Sequence, residues 1–336
     1  MAVKKMGQQT IQFSIPPKII SAYSIVGPKE GEGPLKDSFD EILKDDKYEE
    51  KTWEKAESKI LRNAIIATLK NCEKTPEDID FMLSGDLLNQ LMSASYTARD
   101  LSIPFFGLYG ACSTMTESLS LASILIDGGY ADHVIAATSS HFSTAERQFR
   151  FPLEHGNQKP PTAQWTVTGA GAAVLASQGT GPIITHITVG KVVDYGITDV
   201  NNMGAAMAPA AIDTISTHLN DTGRSPDFYD LILTGDLGEL GKKITIDLLK
   251  EKGYNIENVY NDCGVMIFDS VKQDTHCGGS GCGCSASVFC GHIYKRMMKK
   301  ELKNVLLIST GALLSTISTQ QGETIPGIAH AVAFSI

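Results

Sequence analysis

Apolar positions along this chain alternate between two patterns. Ile60, Leu61, Ala64, Ile65 and Leu69 recur at helical spacing, which predicts a helix over Trp53–Asn71. A Thr75-Pro76-Glu77 turn follows, then the short continuous run Ile79–Ser84, the pattern of a strand buried on both faces. The order returns later as a helix near Ala210–Leu219, a Ser225-Pro226 turn and a strand over Tyr229–Thr234. The likeness reaches the residues themselves. Thr75–Leu87 reappears as Ser225–Leu237, 150 positions on, with six of thirteen residues identical and Gly-Asp near the end of both. A repeat of half the chain length means two copies of one α/β unit rather than a solenoid of short repeats.

Both copies continue alike. Phe105–Leu108 reads as a strand, Gly110–Ser113 as a tight turn, Met115–Asp127 as an apolar helix and His133–Ala137 as a strand. In the second copy Val259-Tyr260-Asn261 leads to a glycine-rich turn, a helix over Ala286–Met298 and a strand over Asn304–Ile308. Alternation of this kind predicts parallel sheets covered by helices on both faces. A strand over Gly171–Ala176 closes the first copy, dividing the chain into halves at 1–178 and 179–336. Residues 27–52, dense in charge after Asp37, read as a surface excursion, and Gly196–Ala211 as a loop packed near the seam.

A hydrophobic share of 42% over 336 residues suits a large buried core. The net charge of −9 excludes a protein whose affinity comes from neutralising nucleic-acid phosphates. Only Lys295–Lys303 is locally basic, either an exposed helix end or a patch for anionic lipid or a partner. Met1–Gly7 has no apolar run after its lysines, so no secretory signal is expected. The charge-free stretches 160–190 and 305–322 are too rich in Gly, Ser, Thr or Gln for a membrane span and predict buried strands. Seven cysteines point to a reducing compartment. Cys277, Cys282, Cys284 and Cys290 lack the paired C-x2-C spacing of structural zinc, so no metal site is expected there.

The strongest chemical candidate is Cys112 in Tyr109-Gly-Ala-Cys-Ser-Thr-Met115. A cysteine between a strand and a helix start meets free backbone N–H groups and the positive end of the helix dipole, which favour thiolate. The same position also suits a small buried residue that only packs.

A duplicated α/β unit with Gly-Ala-Cys112-Ser-Thr opening a buried helix resembles the thiolase and β-ketoacyl synthase superfamily. Gly169-Ala-Gly-Ala-Ala-Val-Leu175 is similar to the strand closing that family's first half, and Cys277–Ala286 to its second glycine-rich active-site segment. The resemblance implies a layered α-β-α-β-α architecture and a homodimer. Working members pair the cysteine with further catalytic groups, and here Ser280 and Cys282 stand where a histidine or asparagine is expected. His276 and His141 are the remaining candidate bases. Three longer strings, Ser139–Glu154, Pro160–Gly171 and His276–Cys284, resemble a sporulation branch of the superfamily. That branch implies binding of dipicolinic acid, alone or as its calcium chelate, and its uptake into the developing spore beside membrane proteins of the same operon. It implies no cofactor and a place in the cytoplasm or at the spore inner membrane. The candidate ligand-binding set is Cys112, Ser113, His141, Arg147, Arg150, His276, Gly279, Ser280 and Cys282. Arg147 and Arg150 would supply charge, and the glycine-rich turns N–H groups and hydroxyls. Asp86 and Asp236 are expected to cap or brace the two halves. The alternative is an active acyl-transferring enzyme with Cys112 as nucleophile.

Overall fold

The computed structural model describes residues 3–149 and 158–336. Helix α1 spans Trp53–Asn71, as its apolar stripe predicts. The Thr52 side chain accepts from the Lys55 N–H at its start, and Ile60, Leu61, Ala64 and Ile65 are fully buried. The repeated turn-and-run becomes the strands Phe81–Gly85 and Leu231–Thr234, each entered through a single turn that begins at a proline, Pro76 or Pro226.

Ten strands carry the architecture: β1 Lys18–Val26, β2 Phe81–Gly85, β3 Phe105–Gly107, β4 His133–Ser140, β5 Gly169–Ala176, β6 Ile183–Thr188, β7 Leu231–Thr234, β8 Tyr260–Asp262, β9 Asn304–Ala312 and β10 Gly327–Ser335. The first half lies in the order β1-β5-β4-β2-β3 and the second in the order β6-β10-β9-β7-β8, the same topology twice. Residue pair Lys18–Ile183 links β1 to β6 at the junction.

The expectation of parallel sheets holds for only part of each. β2 pairs in parallel with β3 and β4, and β7 with β8 and β9. β5 and β10 run antiparallel to both of their neighbours in their own sheets. Helix alternation predicts parallel pairing only where a helical crossover joins neighbouring strands. A helix, Phe142–Phe149, lies between β4 and β5 in the chain, yet the two strands pair antiparallel, so an intervening helix alone does not fix strand direction.

The helices form three layers. Outside the first sheet, α1 and α2 (Met92–Leu101) pack on Ile135, Ala172 and Val174. Outside the second, α5 (Met203–Thr222) and α6 (Gly238–Glu251) pack around Ile232, Leu306 and Ile308. Between the sheets lie α3 (Thr114–Asp127) and, beyond α4 (Phe142–Phe149) and the short α7 (Cys263–Ile267), the helix α8 (Cys282–Val288). Met115, Leu119, Val288 and Phe289 there touch a core drawn from both sheets.

Three further expectations change. Gly196–Ala211 is a loop only as far as Asn202; from Met203 it is helix, because the alanines of 205–211 favour helix and bury one face. The predicted helix over Ala286–Met298 begins four residues earlier, at Cys282, and passes through a π turn at Phe289–Ile293. Residues 27–52 are not simply a surface excursion, since Glu30, Leu35, Phe39 and Leu43 are buried.

Candidate functional site

Cys112 sits in a single turn, Ala111–Ser113, between β3 and α3, with its neighbour Ala111 in the left-handed region at φ 50°. Strain at such a residue costs about 1–3 kcal/mol and persists where the surroundings impose it. Across the seam, Gly281 adopts φ 98°, open to glycine and strained for other residues, and turns the chain from Gly279–Ser280 into α8. Cys112 and Ser280 therefore line one cavity between the halves, of about 30 Å³, with Leu87, Tyr109, Ala145 and Phe149 among its walls. That is room for about one water. Tyr109, Phe149 and Leu314 also border an outer vestibule of about 690 Å³, whose polar wall includes Glu54, Gln90, Arg147, Gln148 and Thr316.

Asp236 organises the inner end. Its Oδ1 accepts from Thr310 Oγ1 at 2.7 Å, and its Oδ2 from the Gly281 N–H at 2.9 Å and Ser280 Oγ at 3.2 Å. The Cys112 thiol faces the same carboxylate. Burial pushes the Asp236 carboxyl up to about 6. It also holds the Cys112 thiol well above its ordinary range, and the facing Asp236 and Cys282 add to this. The expectation that the helix start favours thiolate is overturned here. Desolvation and a carboxylate outweigh a helix terminus that contributes about 1 kcal/mol.

The other predicted residues divide into three groups. Ser280 reaches the cavity, Arg147 the vestibule, where its guanidinium pairs with Glu54 and lies over Trp53, and Gly279 lies beside the cavity in a two-residue ladder with Trp165. Cys282 is buried beside Cys112, and its thiol donates to the Ser139 carbonyl at 2.9 Å. Ser113 turns away, its hydroxyl donating to the Gly110 carbonyl.

Neither histidine borders the cavity or the vestibule. Buried His141 donates from Nε2 to the Asp46 carbonyl and accepts from the Ser143 N–H on Nδ1, so one neutral tautomer is held, and burial keeps its pKa low. His276 stands on a turn at φ 53°, a quarter exposed, with Asp274 3.8 Å away. Its glycine-turn context suggested reach to the seam, but the ring leaves on the outer side. Arg150 lies outside the described residues.

Two residues of the site were read too lightly or missed. Asp236 was expected to brace, which it does, but it also touches the cysteine. Glu57 stands within the apolar stripe of α1 with Ile60, Leu61 and Ala64, a polar break that was readable from spacing alone. It is 1% exposed and accepts from Ser139 Oγ at 3.2 Å and Thr144 Oγ1 at 2.8 Å. Asp86 caps α2 by accepting from the Ala94 N–H, and accepts from the Leu88 N–H as well. Among the described residues no group of three or more His, Cys, Asp or Glu side chains could hold a metal ion, and no helix is long and apolar enough to cross a membrane.

The buried titrating groups make stability depend on pH in a definite direction. Desolvation raises Glu30 and Asp262 to about 7 and Asp236 to about 6, and raises Glu57 and Asp86 as well. Each keeps a proton in the folded protein where the unfolded chain, titrating near 4, has lost it, so this stabilisation fades as pH rises through the raised values. Desolvation lowers His186 and His330 to about 4 and His218 to about 3. Those groups remove stability as pH falls below about 6.5, where the unfolded histidines take up protons. Between about pH 6.5 and 8.5 only the carboxylates among these groups change, so the melting temperature is expected to fall over that interval. A rise there in scanning calorimetry would contradict the assignment.

Residues 7–335 match the family described as stage V sporulation protein AD (SpoVAD). The chain is 50% identical over 333 residues to stage V sporulation protein AD of Bacillus subtilis (strain 168), covering 99% of this chain and 98% of that relative. Among solved structures it is similar to 3-oxoacyl-[acyl-carrier-protein] synthase III from Aquifex aeolicus VF5, with a TM-score of 0.60, 14% identity and coverage of 95% and 100% of the two chains. It is also similar to the E117A form of OleA from Xanthomonas campestris, with a TM-score of 0.61, 14% identity and coverage of 99% and 100%. At such identity the likeness is one of fold, the thiolase-like fold of two duplicated halves.

Proposed function

The chain belongs to the stage V sporulation protein AD family, and from that premise we propose that it is a binding protein for dipicolinic acid on a scaffold that has lost acyl-transfer chemistry. The observation carrying this reading is the cavity between the halves, where the cysteine faces Asp236 and no histidine. A general base ordinarily contributes about 10²–10⁴-fold. Here the group beside the thiol is a carboxylate whose negative charge opposes the thiolate it would have to create.

The vestibule has the volume of a small-molecule site. The diacid ring lies there, one carboxylate toward Arg147 and the amides of Gln90 and Gln148, the other toward Ser280 and Cys112. Calcium, where present, arrives as part of the ligand. The protein serves uptake of the acid into the developing spore alongside membrane proteins of the same operon. A homodimer forms along β3, the edge strand of the first sheet, where Phe106 and Tyr109 are about half exposed.

Titration calorimetry with dipicolinate, without and with calcium, tests the reading. Saturable binding at one site per chain is expected, on a species sedimenting at twice the chain mass. Arg147→Gln should weaken affinity about tenfold, the loss of one charge-assisted contact. No heat with either form of the ligand would end the proposal.

A further inference from the structure

The wall of the vestibule hides a pair of buried carboxylates, Glu57 and Asp86, that meets no cation among the described residues. Thr144 lines the vestibule and donates its hydroxyl directly to Glu57 Oε2. Leu87 and Leu88, which border the inner cavity and the vestibule, immediately follow Asp86. A short run of contacts joins the two: Ser139 Oγ donates to Glu57 and lies 3.3 Å from Ser93 Oγ, and the N–H of the next residue, Ala94, donates to Asp86. Desolvation raises both carboxyls, and the charge on Asp86 raises Glu57 further. Burial raises the Tyr109 phenol, which stands where cavity and vestibule meet, and Cys112, Cys282 and Asp86 add to this.

Among the described residues, the elements around the pair leave it without positive charge. On α1, Lys59 pairs with Glu49 and Glu50, and Arg62 with Asp100. On α2, Arg99 also turns to Asp100. On α4, Arg147 pairs with Glu54, and Glu146 pairs with Lys159. His141 is neutral and spends its Nε2 proton on the Asp46 carbonyl. β4 offers only hydroxyls, Ser139 among them, and α8 offers the thiol of Cys282. Glu57 and Asp86 accept from hydroxyls and backbone N–H groups alone among the described residues.

Two carboxylates sharing a dry site cannot both ionise cheaply, so the pair holds a proton at pH values where an exposed pair has none. An anion entering the vestibule adds a third negative charge in front of them. We propose that the protein binds its anionic ligand together with a proton, taken up by the Glu57–Asp86 pair behind the vestibule wall. This rests on the dipicolinate reading and adds to it a dependence on pH. It makes Glu57 a positioning residue that sets affinity without touching the ligand. In a compartment of falling pH the site tightens its hold, and in a rising one it lets go.

Titration calorimetry with disodium dipicolinate, repeated in buffers of different ionisation enthalpy, counts the protons directly. Dipicolinate is fully ionised above about pH 6, as ordinary carboxylic acids are, so uptake reports the protein. Affinity is expected to fall with rising pH between about pH 6 and 9, by up to about tenfold per unit for one proton. Glu57→Gln keeps an acceptor for Thr144 and removes the titrating group. It should flatten this dependence and bind more tightly than the parent protein at the alkaline end, a gain that structural damage would not produce. Binding without proton uptake, or an unchanged pH profile in Glu57→Gln, overturns the inference while leaving the dipicolinate reading intact. Absence of binding overturns both. Without ligand, infrared titration should find a protonated carboxyl near neutral pH in the parent protein, diminished in Glu57→Gln. No difference between the two would also overturn it.

Discussion

Replacing Gly171 by alanine is expected to destabilise the protein by about 3 kcal/mol, lowering the melting temperature by about 4 °C for a chain of this length. A Cβ at Gly171 would stand 2.3 Å from the Ala286 carbonyl oxygen and 2.5 Å from its carbon. Both are backbone atoms of α8, so no side-chain rotation relieves the clash. β5 and α8 must separate, and that contact joins the first half of the chain to the second. Cys282 and Gly283, at the start of α8, bond to Ser139 and Ser140 of β4, so the displacement reaches the Cys112 cavity. Dipicolinate affinity should weaken along with stability. A variant as stable as the parent in scanning calorimetry would show that the seam yields, and that the close approach does not hold the site together.

The second large effect is chemical. Asp236→Asn should raise the rate at which iodoacetamide alkylates Cys112 by about tenfold or more at mildly alkaline pH. Removing one nearby negative charge lowers a thiol pKa by about a unit or more, and alkylation follows the thiolate fraction. The Gly281 N–H, which favours the thiolate, stays in place. Mass spectrometry of the modified peptide measures the rate at this one cysteine among seven. An unchanged or slower rate would mean that burial alone quiets the thiol, and that Asp236 is only a brace between Ser280, Gly281 and Thr310.

Much of the fold was legible because its signals are local. The stripe from Ile60 to Leu69 marks α1, and the apolar runs after Pro76 and Pro226 mark β2 and β7 to within about two residues. The antiparallel return of β5 was not legible, since strand direction depends on which neighbour a strand meets, and apolar content does not encode that. The first turns of α5 read as loop from their alanine, glycine and methionine content, and Gly204 and Pro209 do discourage helix in isolation. The buried surface of Ala206–Ala211 against the second sheet overrides them.

At the site, the turn at Cys112 and the glycine segment near Ser280 could be named from sequence. Which polar groups reach the cavity could not. His141 and His276 have the right chemistry and the wrong direction, while Asp236 and Glu57 looked structural and stand at or behind the walls.

The sequence by itself determined two copies of one α/β unit, a cysteine at a strand–helix turn and a second glycine turn to meet it, because apolar period and turn chemistry act between near neighbours. Only the tertiary structure decided that the cysteine faces a carboxylate, that both histidines point elsewhere, and that Glu57 and Asp86 are buried together with no cation among the described residues. Those facts depend on residues that lie far apart along the chain, and burial sets the charge of each only after the sheets have closed over them.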